Sequence, residues 1–484
     1  MKNSLLLMFL ILLVGRELGA QQSQVSFHFD IEEKLIDPYL EGYYTPEQML
    51  ETSYVIGQRY STGKYYDKQG KLHRGEILYN QTNTVFRFRK DEKDKPKIID
   101  PEECSGYVIG YDSFAVVTDI EVQRKLFVDR LKNPEFVQVL ASFGNMTFYE
   151  HMHGERSVVA TRLLKLDEST QMISFSKKDN KFKEQALPVF SSIPYLNQKI
   201  ESGEWDEKDI LQMIKMLEYK YRLDRNEKLY FRLSWEETRD SASAKYIGQV
   251  MSLNDTIWTI KYSHKNGSPI YQGSYSRLYP HRKNGEFLWF DQAGKVRKRV
   301  SYQNDKIVGD VIIYHASGTI HMRYRWVGNK PFFAEVNDTN GKPLLNAVGF
   351  GTEVYKDQIL NRDVTRTYGS RRITSAFYLD DKGNKIYQYA AAPVKAKSWS
   401  KLKKDYKGYH IYPKNARASL SEGMVLAKVI VDPKGRNVSS TILKSAGDQL
   451  DQDALAHLHS LSAKRKWVPA KENSQKVYAE VVIP

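Results

Sequence analysis

The feature that most constrains this 484-residue chain is a repeat with a period of 24 residues that begins at Gly285. Each unit has a glycine, an aromatic residue before a short turn, a second glycine, an apolar residue after the turn, and a second aromatic residue. The matched pairs are Gly285 and Gly309, Phe290 and Tyr314, Gly294 and Gly318, Val296 and Ile320, and Tyr302 and Trp326. A glycine that closes a tight turn supplies positive φ without strain. The unit is therefore predicted to be a β-hairpin.

The segment that follows the second turn alternates strictly. Ile320, Met322, Tyr324 and Trp326 alternate with His321, Arg323 and Arg325. This period of two predicts a strand with one apolar face on a core and one basic face outward. A third, degenerate copy comes earlier, with Tyr262, Gly267, Gly273 and Tyr275 in similar order. Repeated hairpins cannot bury their apolar faces singly, so these units are expected to lean on neighbouring strands.

The pattern resembles MORN-type repeats, in which consecutive hairpins extend an elongated sheet. The resemblance implies a MORN-like hairpin-repeat sheet over residues 256–335. The turn-rich residues that follow predict a β extension over 336–394. Two roles stay open for it, a spacer without a ligand of its own and a binding surface.

The first 20 residues have the order of a secretory signal peptide. Lys2 precedes an apolar run over 5–14, and Leu18-Gly19-Ala20 closes the segment, so cleavage after Ala20 is predicted. The protein would then be periplasmic or secreted. The alternative is an uncleaved segment that anchors it in the inner membrane, although the run falls short of the ~20 residues that a spanning helix needs.

Cysteine content and charge exclude several classes of function. Cys104 is the only cysteine, which excludes an internal disulfide and a thiolate zinc cluster. The formal net charge is +15. Because export would remove nucleic acid as a partner, an anionic lipid or cell-wall surface remains, together with plain solubility.

No segment carries an enzyme signature. The chain lacks a Gly-x-Ser-x-Gly elbow, a His-Glu-x-x-His motif and a P-loop, so we expect no catalytic residues and no cofactor. His151 and His153 could share one face of a strand, but a metal site needs three or four convergent ligands, and no metal is predicted.

The rest of the chain is predicted to be mixed and rich in strands. A helical stretch is expected near 121–131, and an apolar stripe at Ile210, Met213, Ile214 and Leu217 predicts a second helix. The predicted segments are a signal peptide at 1–20, a mixed or β segment at 21–97, a small β-rich domain at 98–200, a helical link and strand at 201–255, the repeats at 256–335, the turn-rich extension at 336–394, a basic linker at 395–408 and a last domain at 409–484. The fold class is α+β, mostly β, with several domains and antiparallel sheets.

The last domain has the most specific motif. Its order is Tyr412-Pro413, Ala416, Glu422-Gly423, a strand, Asp432-Pro433-Lys434-Gly435, a second strand, a helix with Leu450, Ala454, Leu458 and Leu461 on its buried side, Trp467-Val468-Pro469-Ala470, and a last strand. This order resembles the TonB C-terminal domain family. Tyr412, Pro413, Gly423, Gly435, Trp467 and Pro469 are its structural positions.

The resemblance implies a small sheet with a helix on one face, and a partner that adds a strand to the edge of that sheet. The partner would be a periplasmic peptide of an outer-membrane TonB-dependent receptor. Contact is expected along the last strand, at Lys476, Val477, Tyr478, Ala479, Glu480 and Val481. The predicted function is therefore a non-enzymatic envelope protein resembling TonB energy transducers. The alternative is a scaffold that the basic repeats and linker hold to the envelope surface, without force transmission.

Overall fold

A computed structural model describes most of the chain from residue 60 onward. The described residues are 60–79, 84–110, 112–123, 128–153, 159–169, 171–232, 237–238, 241–242, 244–254, 256–278, 281–327, 330–357, 361–389, 395–396, 425–445, 447–464 and 467–483. The predicted signal peptide, most of the basic linker, and Tyr412, Pro413 and Gly423 lie outside them. Of the described residues, 57% are in strands and 14% are in helices, with several antiparallel sheets and a C-terminal sheet domain that has a helix, which confirms the predicted fold class.

The first sheet contains ten strands in the order β12-β11-β10-β9-β6-β5-β1-β2-β3-β4. Their bounds are β1 Ser61–Asp67, β2 Leu72–Tyr79, β3 Phe86–Arg89, β4 Lys97–Ile99, β5 Cys104–Ile109, β6 Asp112–Val117, β9 Glu135–Phe143, β10 Met146–His153, β11 Val159–Leu166 and β12 Ile173–Ser174. One end of this sheet has its own aromatic core, in which Phe86, Tyr107, Phe114 and Phe136 are buried together.

The helix expected near 121–131 is wrong. Strands β7 (Ile120–Gln123) and β8 (Val128–Leu131) pair in antiparallel fashion there. Ile120 and Val122 are both buried against Val117 and Val137, and this alternation along the chain is that of a strand. Two β-branched residues two positions apart were the local signal that favoured the strand.

Three helices follow the first sheet. They are α1 (Asp179–Phe190), α2 (Pro194–Glu201) and α3 (Ile210–Arg225), and a short 3-10 turn at Glu207–Asp209 leads into α3. The stripe predicted from Ile210, Met213, Ile214 and Leu217 is confirmed, because all four side chains are buried. Asn226 ends α3 in the left-handed conformation, at φ 55°.

The second sheet contains the predicted repeats. Its order is β14-β13-β15-β16-β17-β18-β19-β20-β21-β22. The strands are β13 Lys228–Phe231, β14 Glu237–Thr238, β15 Tyr246–Asn254, β16 Ile257–His264, β17 Pro269–Leu278, β18 His281–Phe290, β19 Val296–Gln303, β20 Lys306–Tyr314, β21 Ile320–Val327 and β22 Lys330–Val336. From β15 onward each strand pairs with the next along the chain. Met322 and Tyr324 are buried and Arg325 is exposed, as the alternation in β21 predicts.

One turn recurs between these strands. In the two repeat units the N–H of Gly294 donates to Asp291 O at 2.9 Å, and the N–H of Gly318 donates to His315 O at 2.9 Å. Gly267 makes the same bond to His264 O, so the degenerate third copy has the same turn. The glycine has positive φ in all three turns, at 81°, 92° and 92°. The repeated glycine is thus the residue that lets the chain reverse.

The third sheet has eight strands and includes the C-terminal segment. Its main path is β23-β24-β25-β26-β32-β28-β29, and β31 pairs with β32 off this path. The strands are β23 Gly351–Asp357, β24 Arg362–Gly369, β25 Arg372–Leu379, β26 Lys385–Tyr389, β28 Leu426–Val431, β29 Asn437–Lys444, β31 Ala470–Glu472 and β32 Gln475–Ile483. Helix α4 (Asp448–Lys464) lies between β29 and β31 along the chain. Two short strands, β27 (Lys395–Ala396) and β30 (Trp467–Val468), pair with each other.

The largest core runs through several of these layers. It joins Phe148 and Leu164 of the first sheet, the buried faces of the helices, and Trp258, Phe287 and Tyr324 of the repeats. Tyr368 and Ile373 of the third sheet belong to the same cluster. The repeat sheet is therefore supported by neighbouring elements.

Candidate functional site

The C-terminal segment has a core of its own. Ala427, Val429 and Val431 of β28 are buried against Leu458 of α4, and the same cluster includes Trp467, Ala470 and Ala479. A hairpin, a helix and a returning hairpin strand thus enclose one small apolar centre. The helix covers one face of the sheet, which leaves the strand backbones to pair with one another at the sides.

The turn between β28 and β29 is fixed by a buried carboxylate. Asp432, 1% exposed, accepts the N–H of Lys434 at 2.8 Å and the N–H of Arg436 at 2.9 Å. The Arg436 guanidinium donates to its other oxygen at 2.7 Å. Burial raises the pKa of Asp432, but the donors from Arg436 and Lys434 outweigh it, so the pKa lies below its ordinary value.

Gly435 closes this turn against the tryptophan segment. Its φ is +78°, and a Cβ there would lie 2.2 Å from the carbonyl oxygen of Trp467. The N–H of Trp467 donates to Gly435 O at 2.8 Å, and Pro469 Cδ would lie 3.7 Å from the same Cβ. Gly435, Trp467 and Pro469, which the sequence marked as structural, therefore meet at one point.

Strand β32 holds all six residues predicted to contact a partner. Val477, Ala479 and Val481 pack on the core that contains Leu458. Tyr478 and Glu480 lie on the opposite face of the strand, where Tyr478 packs with Ile430 against a cluster formed by β24, β25 and β26. Lys476 is exposed.

Strand β32 has a partner strand on each of its two sides. On one side β28 pairs with it in antiparallel fashion from Ala427 to Val431. On the other side β26 pairs with it in parallel, with Ile386 opposite Tyr478 and Tyr387 opposite Ala479. β31 pairs with its beginning. Along the described main path of this sheet the outer strands are β23 and β29.

Glu480 is the most perturbed group on this strand. Its side chain is 5% exposed and accepts a hydrogen bond from the Tyr378 hydroxyl at 3.2 Å. Burial raises the pKa of Glu480 to about 7, although Lys428 and the hydrogen bonds from Tyr378 and Gln388 lower it. Asp357 raises it further by like-charge repulsion. A carboxyl group held this way is partly protonated near neutral pH.

A second buried polar cluster joins the repeat sheet to the third sheet. Arg366 donates to Glu353 at 3.0 Å and to the Tyr355 hydroxyl at 2.6 Å, and the Tyr368 hydroxyl donates to Glu353 at 2.7 Å. His321 of β21 also contacts Glu353. Burial raises the pKa of Glu353, but Arg366 and His321 lower it to about 2 overall. These groups satisfy one another, and the cluster is best explained as a structural tie.

His151 and Cys104, the other side chains considered for chemistry, are both buried. His151 is buried, with Nε2 at 3.3 Å from a Glu135 oxygen, and the part of the chain that the structure describes contains no group of three or more His, Cys, Asp or Glu side chains placed to hold a metal. Cys104 is fully buried, and burial raises the pKa of its thiol to about 11. In the same described ranges, none of the helices combines the length and apolar character needed to cross a bilayer.

The geometry defines a small sheet-plus-helix domain whose last strand is paired on both sides. Residues 409–484 match the family model described as Gram-negative bacterial TonB protein C-terminal. That match supports a TonB-like protein of the cell envelope that takes part in TonB-dependent transport, and domains of this family serve binding and energy transduction. The family is known to interact with outer-membrane receptors. No curated protein matches the chain.

Proposed function

We propose that this chain is a non-enzymatic periplasmic protein whose C-terminal domain binds an extended peptide of an outer-membrane receptor. The peptide would add as a strand along Lys476 to Val481 on β32, and the hairpin repeats, which we propose to be of MORN type, would act as spacer and scaffold. The observation that supports this most is the match of residues 409–484 to the TonB C-terminal family. Export by a signal peptide cleaved after Ala20 belongs to the same proposal.

The physical basis is backbone hydrogen bonding along a strand, on the side of β32 that β26 occupies in this structure. A β-strand offers alternate N–H and C=O groups to a neighbour on each side, and the backbone bonds give affinity while side-chain pockets give selectivity. β32 supplies apolar side chains on one face, through Val477 and Val481, and a polar group, Glu480, on the other. An added strand would therefore meet a different environment on each face.

Site-specific photocrosslinking tests the proposal in the intact envelope. A photoreactive residue replaces exposed Lys476 on β32 or, in the matched control, Val438 on β29, which is 51% exposed. The proposal expects a crosslink from position 476 to the periplasmic peptide of a receptor, and none from position 438. Crosslinks from position 438 alone would move the partner to the outer strand β29, and crosslinks from neither would remove the receptor peptide as a partner.

A second candidate is the scaffold held to anionic lipid or cell wall by the basic repeats and linker. Outward arginines of the repeat sheet favour it, among them Arg325, which is exposed. However, Arg299 pairs with Glu286 at 3.2 Å and Arg323 pairs with Glu335 at 3.4 Å, which reduces the charge available for a surface. Retention on envelope fractions that falls between ~0.05 and 0.5 M salt would support this candidate, because salt screens exposed charges.

A further inference from the structure

The chain places one of its own strands beside the strand that carries the proposed binding residues. β26 belongs to the run of hairpins β23 to β26, and its Ile386 and Tyr387 pair with Tyr478 and Ala479. The pairing is parallel and joins segments about 90 residues apart in the sequence, a connection typical of a long crossover. The added strand of the proposed function and β26 would use the same row of backbone groups.

The side chains of β26 use both faces of the C-terminal domain. Ile386 is 1% exposed and shares a cluster with Val364, Ala376 and Tyr378, against which Tyr478 also packs. Tyr387 points the other way along the alternation and packs on the core formed with Leu458. An apolar residue followed by an aromatic one thus fills two separate apolar sites.

The next residue of β26 satisfies a polar group. Gln388 is 7% exposed, and its side chain hydrogen-bonds the Glu480 carboxyl, which the Tyr378 hydroxyl also reaches. A buried carboxyl without such donors would be strongly destabilising. Three consecutive residues of β26 therefore each match one feature of β32.

The segment after β26 makes a second contact with the same domain. Lys395 and Ala396, which form β27, pair with Val468 and Trp467. Residues 386–387 and 395–396 therefore both pair with backbone of the C-terminal domain.

β26 pairs with β32 over fewer residues than β28 does. Pairing with β26 involves Ile386 and Tyr387, whereas β28 pairs continuously from Ala427 to Val431. With β26 in place Glu480 is buried, and burial disfavours the charged form of its carboxyl group. Exchange of β26 for another strand therefore breaks few backbone bonds.

We propose that β26 is an intrachain occupant of the β32 edge, which a partner peptide must displace in order to bind. This proposal rests on the proposed function and also defines the kind of partner. The partner is an extended peptide parallel to β32, with an apolar, an aromatic and a hydrogen-bonding residue at the positions of Ile386, Tyr387 and Gln388. When β26 occupies the edge in most molecules, the apparent affinity for a peptide equals its intrinsic affinity multiplied by the fraction of molecules in which the edge is open.

Two variants of the full chain test the displacement. The first carries Tyr387→Cys with Ala479→Cys, because paired residues of adjacent strands are close enough for a disulfide. The native Cys104 is buried in the first sheet. The second is Ile386→Lys, which puts a charge into a buried site and expels β26. Its matched control is Leu379→Lys, at a position that is 51% exposed.

The probe is a fluorescently labelled peptide with the sequence of residues 383–391, Gly-Asn-Lys-Ile-Tyr-Gln-Tyr-Ala-Ala. Fluorescence anisotropy should show no binding to the oxidised double-cysteine chain and restored binding after reduction. Ile386→Lys should bind about tenfold or more tightly than the unsubstituted chain, and Leu379→Lys should match the unsubstituted chain.

Equal affinity in the oxidised and reduced states would overturn the proposal. So would an Ile386→Lys chain that keeps a folded C-terminal domain, shows faster hydrogen exchange in β32, and still gains no affinity. If Ile386→Lys does not fold, the comparison of redox states decides alone. Redox-controlled peptide binding without a receptor crosslink from position 476 would leave this inference standing while the proposed function failed.

Discussion

The hydroxyl of Tyr378 donates to the carboxyl of Glu480 at 3.2 Å, across 102 positions of sequence. Tyr378 is 3% exposed and Glu480 is 5% exposed, so the bond is closed off from water. It joins strand β25 to strand β32 and thus links the hairpins before the C-terminal domain to the last strand of that domain. Any movement of β32 away from β26 would place Glu480 in a different environment.

The contact between β26 and β32 should weaken as pH rises. Glu480 has a pKa of about 7 in this structure against an ordinary 4.5, so the closed arrangement is favoured fully below pH ~4.5 and loses stability as pH rises through 7. The groups that face it are Asp357 from β23, Tyr378 from β25, Gln388 from β26 and Lys428 from β28. Hydrogen exchange of β32 amides should be faster, after correction for intrinsic rates, at pH 8 than at pH 5.

The size of this effect is about 3.5 kcal/mol at most, because the pKa rises from 4.5 to about 7 and each pH unit corresponds to about 1.4 kcal/mol. Glu480→Gln removes the titrating group and should flatten the pH dependence of β32 exchange. Glu472→Gln, at a half-buried position on neighbouring β31, is the control and should leave the pH dependence intact. A pH dependence that survives Glu480→Gln would assign it to another group.

Gly435→Ala should destabilise the C-terminal domain by about 2 kcal/mol or more. The new Cβ would lie 2.2 Å from the Trp467 carbonyl oxygen, so the turn and the Trp467 segment would have to separate. Gly383→Ala is a matched control, since Gly383 has nearly the same φ of +79° but nothing within 4 Å of the added Cβ. Both variants place alanine at positive φ, so the difference between their thermal unfolding temperatures should report the steric contact at position 435. Equal destabilisation would mean that the turn can move freely.

Arg366→Met should cost about 3–5 kcal/mol, because it leaves the buried Glu353 without its main counter-charge. Arg362→Met, four residues earlier on the same strand, removes an exposed pair with Asp381 and should have little effect on stability. Chemical denaturation of both chains, followed by tryptophan fluorescence, measures the difference. A small effect at Arg366 would show that His321 and the Tyr368 hydroxyl together can stabilise Glu353.

Cys104 should not react with thiol reagents in the folded protein. Its side chain is fully buried, and its pKa of about 11 leaves little thiolate at pH 8. A colorimetric thiol assay at pH 8 should show no reaction under native conditions and one equivalent after denaturation. Fast reaction of the native protein would indicate that the first sheet opens locally near β5.

Local patterns in the sequence were sufficient for the hairpins and for the long helix. The 24-residue repeat predicts turns at Gly294 and Gly318 because each turn is determined by residues within a few positions. The stripe from Ile210 to Leu217 predicts α3 for the same reason. The paired strands β7 and β8 were missed because their apolar residues are few and their alternation is short.

The surroundings of β32 could not be predicted in the same way. Its pairing with β26 depends on residues far apart in the sequence, and nothing in Ile386-Tyr387-Gln388 alone indicates which strand it joins. The buried state of Glu480 follows from that pairing and from Tyr378, so it was equally hidden. The asparagine or aspartate that begins many of the turns was a signal that sequence reasoning left unused: Asp67, Asp291, Asp380 and Asp432 each accept the N–H groups two and four residues later.

The parallel pairing of β26 with β32 bears on how the protein can be divided for study. A fragment that begins at residue 409 matches the limits of the recognised domain but leaves out β26 and β27. Such a fragment would carry a sheet with bare backbone along Tyr478 and Ala479, and bare strand edges pair readily with another copy. Self-association of the short fragment would then result from the truncation and would not reflect the native assembly. Fragments that start before β23 are therefore the better choice for measuring oligomeric state.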